Sequence, residues 1–202
     1  MFAQTLTTAA PSASREAATR VFSDEALIRQ IAHGNKLAMR ALFARHQVRV
    51  YRYALRIVRD TGLAEDVVSD VFFDAWQHAG RFEGRSTVST WLLGIARHKA
   101  LTACSRRKNE SIDEAALNVA DPASNQEAEL AKKDTAKLIR RCLSELSPEH
   151  AEIIDLVYYQ EKSIKEIVEI LSIPENTVKT RMFYARKRLA VLMTAQGVDR
   201  AA

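Results

Sequence analysis

From residue 36 onward the apolar positions follow a helical period. Leu37, Ala41, Ala44, Val48, Tyr51, Leu55 and Val58 recur at alternating steps of four and three, as one face of a helix requires. Met39, Phe43, Val50 and Ile57 form a second stripe, so this helix, over about 36–59, is predicted to pack on two sides. Upstream, Ser23 suits an N-cap, and Gly34 stands where a C′ glycine would close a first helix. A third helix is predicted from Leu63 to Ala79, between Asp60-Thr61-Gly62 and Gly80. A fourth runs from Ser86 to Arg107 after the loop Gly80–Arg85.

Between Asn109 and about Ser124 the period vanishes, and Asp121-Pro122 punctuates the gap. It resumes at Leu130, Thr135, Leu138, Cys142 and Leu146. Ser147-Pro148 then restarts a helix with a capping serine and a proline at the first helical position. Ser163-Ile164-Lys165-Glu166 is a capping box. Its helix ends near Ser172-Ile173-Pro174, and a last helix runs from Glu175 to about Met193. The expected fold is all-α, with two small helical domains, 23–108 and 127–195, joined by a flexible acidic linker, 109–126. Residues 1–22, rich in Ala, Thr and Ser, read as a disordered tail. They lack the apolar core of a secretory signal, and their Ala/Ser/Arg-rich, acid-poor start only faintly resembles an organellar transit peptide.

Composition narrows the chemistry. Six glycines and four prolines in 202 residues favour long helices over a turn-rich sandwich or barrel. No run of about 18 apolar residues occurs, so no membrane span is expected. Cys104 and Cys142 form neither a disulfide framework nor a zinc spacing, and they suit a reducing cytoplasm. His33, His46, His78, His98 and His150 lack metal-ligand spacing, and no phosphate loop or nucleophile motif is present. The chain is therefore expected to be no enzyme, and to use neither cofactor nor metal.

The net charge of +5 hides strong segregation. Residues 40–59 hold arginines and no acid, whereas residues 60–80 hold Asp60, Glu65, Asp66, Asp70 and Asp74 and no Lys or Arg. Residues 81–108 are basic apart from Glu83, residues 110–129 are acidic, and residues 176–198 are basic. Any one block reads as a solvated face; blocks alternating in sign point to several partners of different charge.

Three stretches carry the functional signal. The helix Ile164–Leu171, the turn Ser172–Pro174 and the basic helix from Glu175 have the layout of a helix–turn–helix. Ile164, Ile167 and Leu171 are expected to line its inner face, continued by Val178, Tyr184 (or Phe183) and Leu189. Glu175, Asn176, Thr177, Lys179, Thr180 and Arg181 then face outward, where such residues can meet base edges and phosphates. Next, the basic stretch 80–108 carries Phe82 and Trp91, the mix of cations and aromatic faces that unpaired DNA requires. Taken alone this signal is weak, because such aromatics are more often core residues than stacking platforms. The third is the acidic helix, with Asp66, Asp70 and Asp74 at i, i+4, i+8. Like charges so spaced cost a few tenths of a kcal/mol per pair unless a cationic partner docks there.

In this order the stretches resemble the extracytoplasmic-function (ECF) sigma factors of the bacterial sigma-70 family. Residues 25–107 resemble region 2, through AED…W and RF-x-G-RS…TWL-x-x-IAR; residues 135–192 resemble region 4, through EI…TVK-x-R…AR-x-x-L. The resemblance implies an initiation factor that binds core RNA polymerase and recognises the −10 and −35 elements of a promoter. It places Asp66, Ser69, Asp70 and Phe73 on the β′ clamp helices. It places Arg81, Phe82, Gly84, Arg85, Ser86 and Thr87 in the loop that holds a flipped base of the −10 element, and Trp91, Arg97, His98, Lys99, Arg106 and Arg107 along the melted strand. Glu175, Asn176, Thr177, Lys179, Thr180, Arg181, Arg186 and Lys187 would read the −35 element, partly beside the β flap. An anti-sigma factor, a cytoplasmic location and a monomeric free state follow from the same likeness.

Four positions depart from the family pattern. Ser69 and Asp70 stand where Gln and Glu are usual, Ser89 where Arg or Lys is common, and Ser172 where the turn usually has Gly. Ser172 would be strained if its φ were positive. A linker of 18–20 residues spans at most about 65 Å, close to two turns of duplex at about 34–36 Å each. The rival readings are a helix–turn–helix repressor or activator working without polymerase, and a sigma mimic that sequesters an anti-sigma factor.

Overall fold

The computed structural model describes residues 23–110, 139 and 141–195, all helices and short connections with no strand among them. The tail 1–22, the helical onset at 127–138 and the linker beyond Glu110 lie outside the described residues.

Local chemistry sets most helix ends. Ser23 caps α1 (Asp24–Ala32) by accepting from Ala26 N–H, and Gly34 follows at φ 82°. Asn35 caps α2 (Lys36–Val58) by accepting from the Leu37 and Ala38 N–H groups. The chain leaves α2 through Arg59 at φ 54°, and Asp60 caps α3 (Thr61–His78) through Leu63 N–H. A 3₁₀ turn (Ala79–Arg81) leads to α4 (Val88–Glu110), which extends past the expected end at Arg107. Ser147 caps α5 (Pro148–Ile154), with Pro148 in the first turn, and a π turn (Asp155–Tyr159) follows. The capping box of Ser163 and Glu166 opens α6 (Ile164–Leu171), and Ser172 ends it in the left-handed region. The last helix, α7, spans Glu175–Ala195.

Helices α2, α3 and α4 pack mutually, with α1 across α2, as the first domain; α5 and α6 pack on α7 as the second. The face that α2 buries is not the predicted stripe. Ala38, Leu42, His46, Val50, Tyr53, Ala54 and Val58 face the core, while Leu37 is 72% and Val48 53% exposed. His46 explains the difference: its Nε2 lies 2.7 Å from Asp24 Oδ2, so a residue counted as polar sits inside with its partner. On α7 the inner face is Val178, Ala185 and Leu192, with Leu189 half-buried. Tyr184 (or Phe183) is expected to continue that face, yet both rings are exposed and stack edge-to-face on each other.

The two domains share a core. Ile153, Leu156, Ile167, Ile170, Leu171 and Val178 of the second domain belong to one continuous buried cluster with Leu92, Leu93 and Ala96 of α4. A separate cluster of Cys142, Leu143, Leu146, Ile154, Ala185 and Leu192 holds the second domain together.

Candidate nucleic-acid interface

The acidic helix α3 buries Ala64, Val67, Val68, Val71, Phe72 and Ala75 and turns its opposite face to solvent. That face carries Asp66, Ser69, Asp70 and Phe73, at i, i+3, i+4 and i+7, all exposed, with Phe73 at 60%. A large apolar ring flanked by carboxylates in water is costly to leave bare and suits a partner with cations around an apolar pocket. Asp74 does not belong to this face electrostatically, because Lys99 Nζ sits 3.0 Å from its Oδ2.

The loop after α3 is held at one end by Phe82, half-buried and packed on Trp91 with ring centroids 5.1 Å apart. Gly84 has φ 70°, where a side chain would be strained, so the turn requires it. Arg81 and Arg85 are exposed, and Arg85 pairs with Glu83. Thr87 caps α4, its Oγ1 accepting from Thr90 N–H. Along α4 the cations differ in availability. His98 and Arg106 are exposed; Arg97 is engaged by Glu152, Lys99 by Asp74 and Arg107 by Asp60. The Leu63 N–H bond, more than Arg107, holds the Asp60 carboxyl below its ordinary range. Arg106 and Arg107 lie about 22 Å along the helix axis from Trp91, so they reach a different part of any bound strand.

In the helix–turn–helix, Glu175, Asn176, Lys179, Thr180, Arg186 and Lys187 are exposed, while Thr177 and Arg181 are half-buried. Lys179 pairs with Glu175 at 2.7 Å, and this bond holds the Glu175 carboxyl below its usual range. Arg181 bridges to Glu149 of α5 at 2.9 Å, so it also braces the domain. Arg186 lies over the exposed ring of Tyr158 at 5.7 Å.

Sequence reasoning missed a polar cluster between the domains. Glu152 Oε1 accepts from Tyr53 Oη at 2.9 Å and from Arg97 Nε at 3.0 Å. Burial and the Glu152 charge raise the Tyr53 phenol well above its ordinary value. Glu166 Oε1 accepts from Thr90 Oγ1 at 2.6 Å and Thr87 Oγ1 at 3.2 Å, while its Oε2 closes the capping box. Lys162, its side chain 5% exposed, donates to Ser89, Thr90 and Glu166. Burial raises the Glu166 pKa, but the bonds from Thr90, the Ser163 N–H and Lys162 outweigh it and bring it to about 2. Asp155 Oδ1 forms an ion pair with Arg56 Nε at 2.8 Å. Burial outweighs the Arg56 charge and lifts Asp155 to about 6. The one local signal was Lys162 and Glu166 at i, i+4; their partners lie more than seventy positions away.

Among the described residues no group of three His, Cys, Asp or Glu is placed to hold a metal ion, and no helix is long and apolar enough to cross a membrane. The sigma-70 region 2 family model matches residues 42–110, and the sigma-70 region 4 model matches residues 136–189. The ECF RNA polymerase sigma factor SigK of Mycobacterium tuberculosis is 30% identical over 176 residues, 84% of this chain and 94% of that protein. SigL of the same species is 31% identical over 163 residues, 80% of this chain and 92% of its own. Among solved structures, CnrH in complex with the cytosolic domain of CnrY is 25% identical, with a TM-score of 0.62 over 85% of this chain and 97% of that one. The fold is shared with the Bartonella quintana sigma factor RpoE, crystallised with the anti-sigma factor NepR, at a TM-score of 0.63 and 24% identity over 75% of this chain and 94% of that one. Two region models in the right order, and relatives aligned over most of both chains, establish that the chain belongs to the ECF RNA polymerase sigma factors of the sigma-70 family.

Proposed function

We propose that this chain is a promoter-specificity subunit that binds core RNA polymerase, engages two promoter elements and directs initiation, without catalysing a reaction and without a cofactor. The observation that carries this reading is the division of its exposed surface by charge. Asp66, Ser69, Asp70 and Phe73 form an acidic and apolar face on α3; Arg81, Arg85, His98 and Arg106 lie on the loop and α4; Lys179, Arg186 and Lys187 lie on α7. An anionic face cannot bind a phosphate backbone, and the cationic ones can.

In this reading the α3 face docks on the β′ clamp helices, the 81–87 loop holds an unstacked base of the −10 element, and Trp91 to Arg107 guide the melted strand. The α7 surface enters the major groove at the −35 element with its N-terminal turns. Domains 23–108 and 127–195 divide these tasks, and the 109–126 tether raises the second domain's local concentration once the first has bound. The chain works in the cytoplasm, where polymerase is, and an anti-sigma factor holds it there in reserve. CnrH, 25% identical to this chain, is seen in complex with the cytosolic domain of CnrY, which supports a protein partner for this chain. Family membership leaves a polymerase-independent repressor without support.

The test is run-off transcription from a genomic fragment library with purified core enzyme, comparing the wild-type chain with Asp66→Arg/Asp70→Arg. The wild type directs initiation from a discrete set of fragments. The double variant keeps its helical circular dichroism but neither co-purifies with core nor initiates. Unchanged co-purification of the variant contradicts the docking role, and no initiation by the wild type contradicts the whole proposal.

A further inference from the structure

The cations of the α7 surface differ in what holds them. Lys179 and Arg181 each lie against a carboxylate, Glu175 at 2.7 Å and Glu149 at 2.9 Å. Arg186 lies instead over the ring of Tyr158, its Cζ 5.7 Å from the centroid. That is within the roughly 6 Å at which a ring face attracts a guanidinium. Tyr158 is 56% exposed, so its ring is not there to fill the core. The π turn brings it to the surface: Asp155 and Leu156 are buried, while the consecutive tyrosines 158 and 159 both face water. Each ring carries an arginine from a different helix, Arg56 of α2 over Tyr159 at 4.1 Å and Arg186 of α7 over Tyr158. Arg56 is also tied to Asp155. Arg186 is held on the surface that faces DNA.

The kind of holder matters. A carboxylate that fixes a cation also neutralises it, and it competes with a phosphate for the same N–H donors. An aromatic ring takes the flat face of the guanidinium and leaves its N–H edge and its charge for another acceptor. Ordering a long side chain beforehand also removes part of the entropy that binding would otherwise cost. We propose that Tyr158 is a positioning residue of the −35 surface: its ring holds the Arg186 guanidinium in the orientation in which it meets the promoter duplex. The contact stands on the geometry; its consequence rests on the reading of α7 as the −35 surface.

A double-variant cycle tests this in holoenzyme reconstituted from the full-length chain and core polymerase. The probe is a fluorescein-labelled promoter fragment selected by the wild-type holoenzyme from the genomic library, and anisotropy gives its Kd. Tyr158→Leu, which loses the ring, is expected to weaken binding about two- to fivefold. Tyr158→Phe keeps the ring face and is expected to bind as the wild type does. In an Arg186→Ala background Tyr158→Leu should have no further effect, because the ring then has nothing to hold. The same loss in both backgrounds overturns the proposal, since Tyr158 would then act on something other than Arg186. Wild-type binding by Tyr158→Leu overturns it too, and so does a loss in Tyr158→Phe as large as in Tyr158→Leu, which would give the role to the hydroxyl. Wild-type binding by Arg186→Ala overturns the reading of Arg186 as a DNA contact and the proposal with it. Circular dichroism and co-purification with core check that each variant is folded and docked. Should leucine lower the helical signal, Tyr158→Gln, which also lacks a ring, replaces it in the cycle.

Discussion

Ser172 sits at φ 54°, ψ 43°, in the left-handed region, with its N–H bonded to Val168 O at 2.8 Å. A side chain there costs roughly 1 kcal/mol that glycine avoids, so the strain expected from the sequence is present. Ser172→Gly is expected to stabilise the chain by about 0.5–1 kcal/mol, the glycine's greater freedom when unfolded offsetting part of the gain; the denaturation midpoint in urea checks it. Asp155 makes a second residue-scale prediction. Its pKa rises from 3.8 unfolded to about 6 folded, so the folded state holds the proton more tightly. Its contribution to stability is complete below the unfolded value and is lost as pH rises through about 6, a difference of about 3 kcal/mol at most. Glu166 works in the opposite sense: its support is complete above its unfolded value of 4.5 and is lost as pH falls toward about 2. Between about pH 5 and 7 the Asp155 effect dominates this pair, so melting temperature is expected to fall as pH rises there. In Asp155→Asn that slope should flatten; an unchanged slope would assign it to another group.

At the scale of elements, α2 shows how period and phase differ. Its apolar positions satisfy two stripes nearly equally well, and the choice between them rests on His46, which enters the core only because Asp24 of α1 meets it. The buried stripe centres on Leu42, 0% exposed, and leaves Leu37 72% exposed. Leu42→Ala is therefore expected to cost about 2–5 kcal/mol, and Leu37→Ala within about 0.5 kcal/mol of nothing, measured by chemical denaturation of each. Similar losses from both would restore the first stripe. The helix ends were far more legible. Ser23, Ser147 and the box of Ser163 and Glu166 all cap where the sequence placed them, because a cap needs only the N–H groups of its own first turn.

For the whole molecule the −35 surface offers the direct comparison. Lys179 and Arg186 are exposed, whereas Arg181 is half-buried and braces α5 through Glu149. Lys179→Ala/Arg186→Ala should weaken transcription from −35-dependent promoters about tenfold or more, on the scale of two lost phosphate or base contacts, while core binding in a pull-down stays unchanged. Arg181→Ala should in addition lower the melting temperature slightly, because it removes the Glu149 bridge between α5 and α7. Loss of core binding by the first pair would give α7 a different role. The candidate site residues were legible individually, yet the engagement of Arg97, Lys99 and Arg107 by acids was not. Only Asp60 and Asp74 of those acids lie in the first domain.

Taken alone, the sequence determined the number and order of the helices in the described segments, most of their caps, the turn of the helix–turn–helix and the separation of acidic from basic surfaces. These depend on neighbours within about a turn of helix, which the chain carries with it whatever its global arrangement. Tertiary structure alone decided which stripe of α2 faces inward, that Phe183 and Tyr184 stay in water, and that Glu152, Lys162 and Glu166 join the two domains. Burial of a polar group is favourable only where its partner arrives, and here the partners come from α1, α2 and α4, up to 99 positions away.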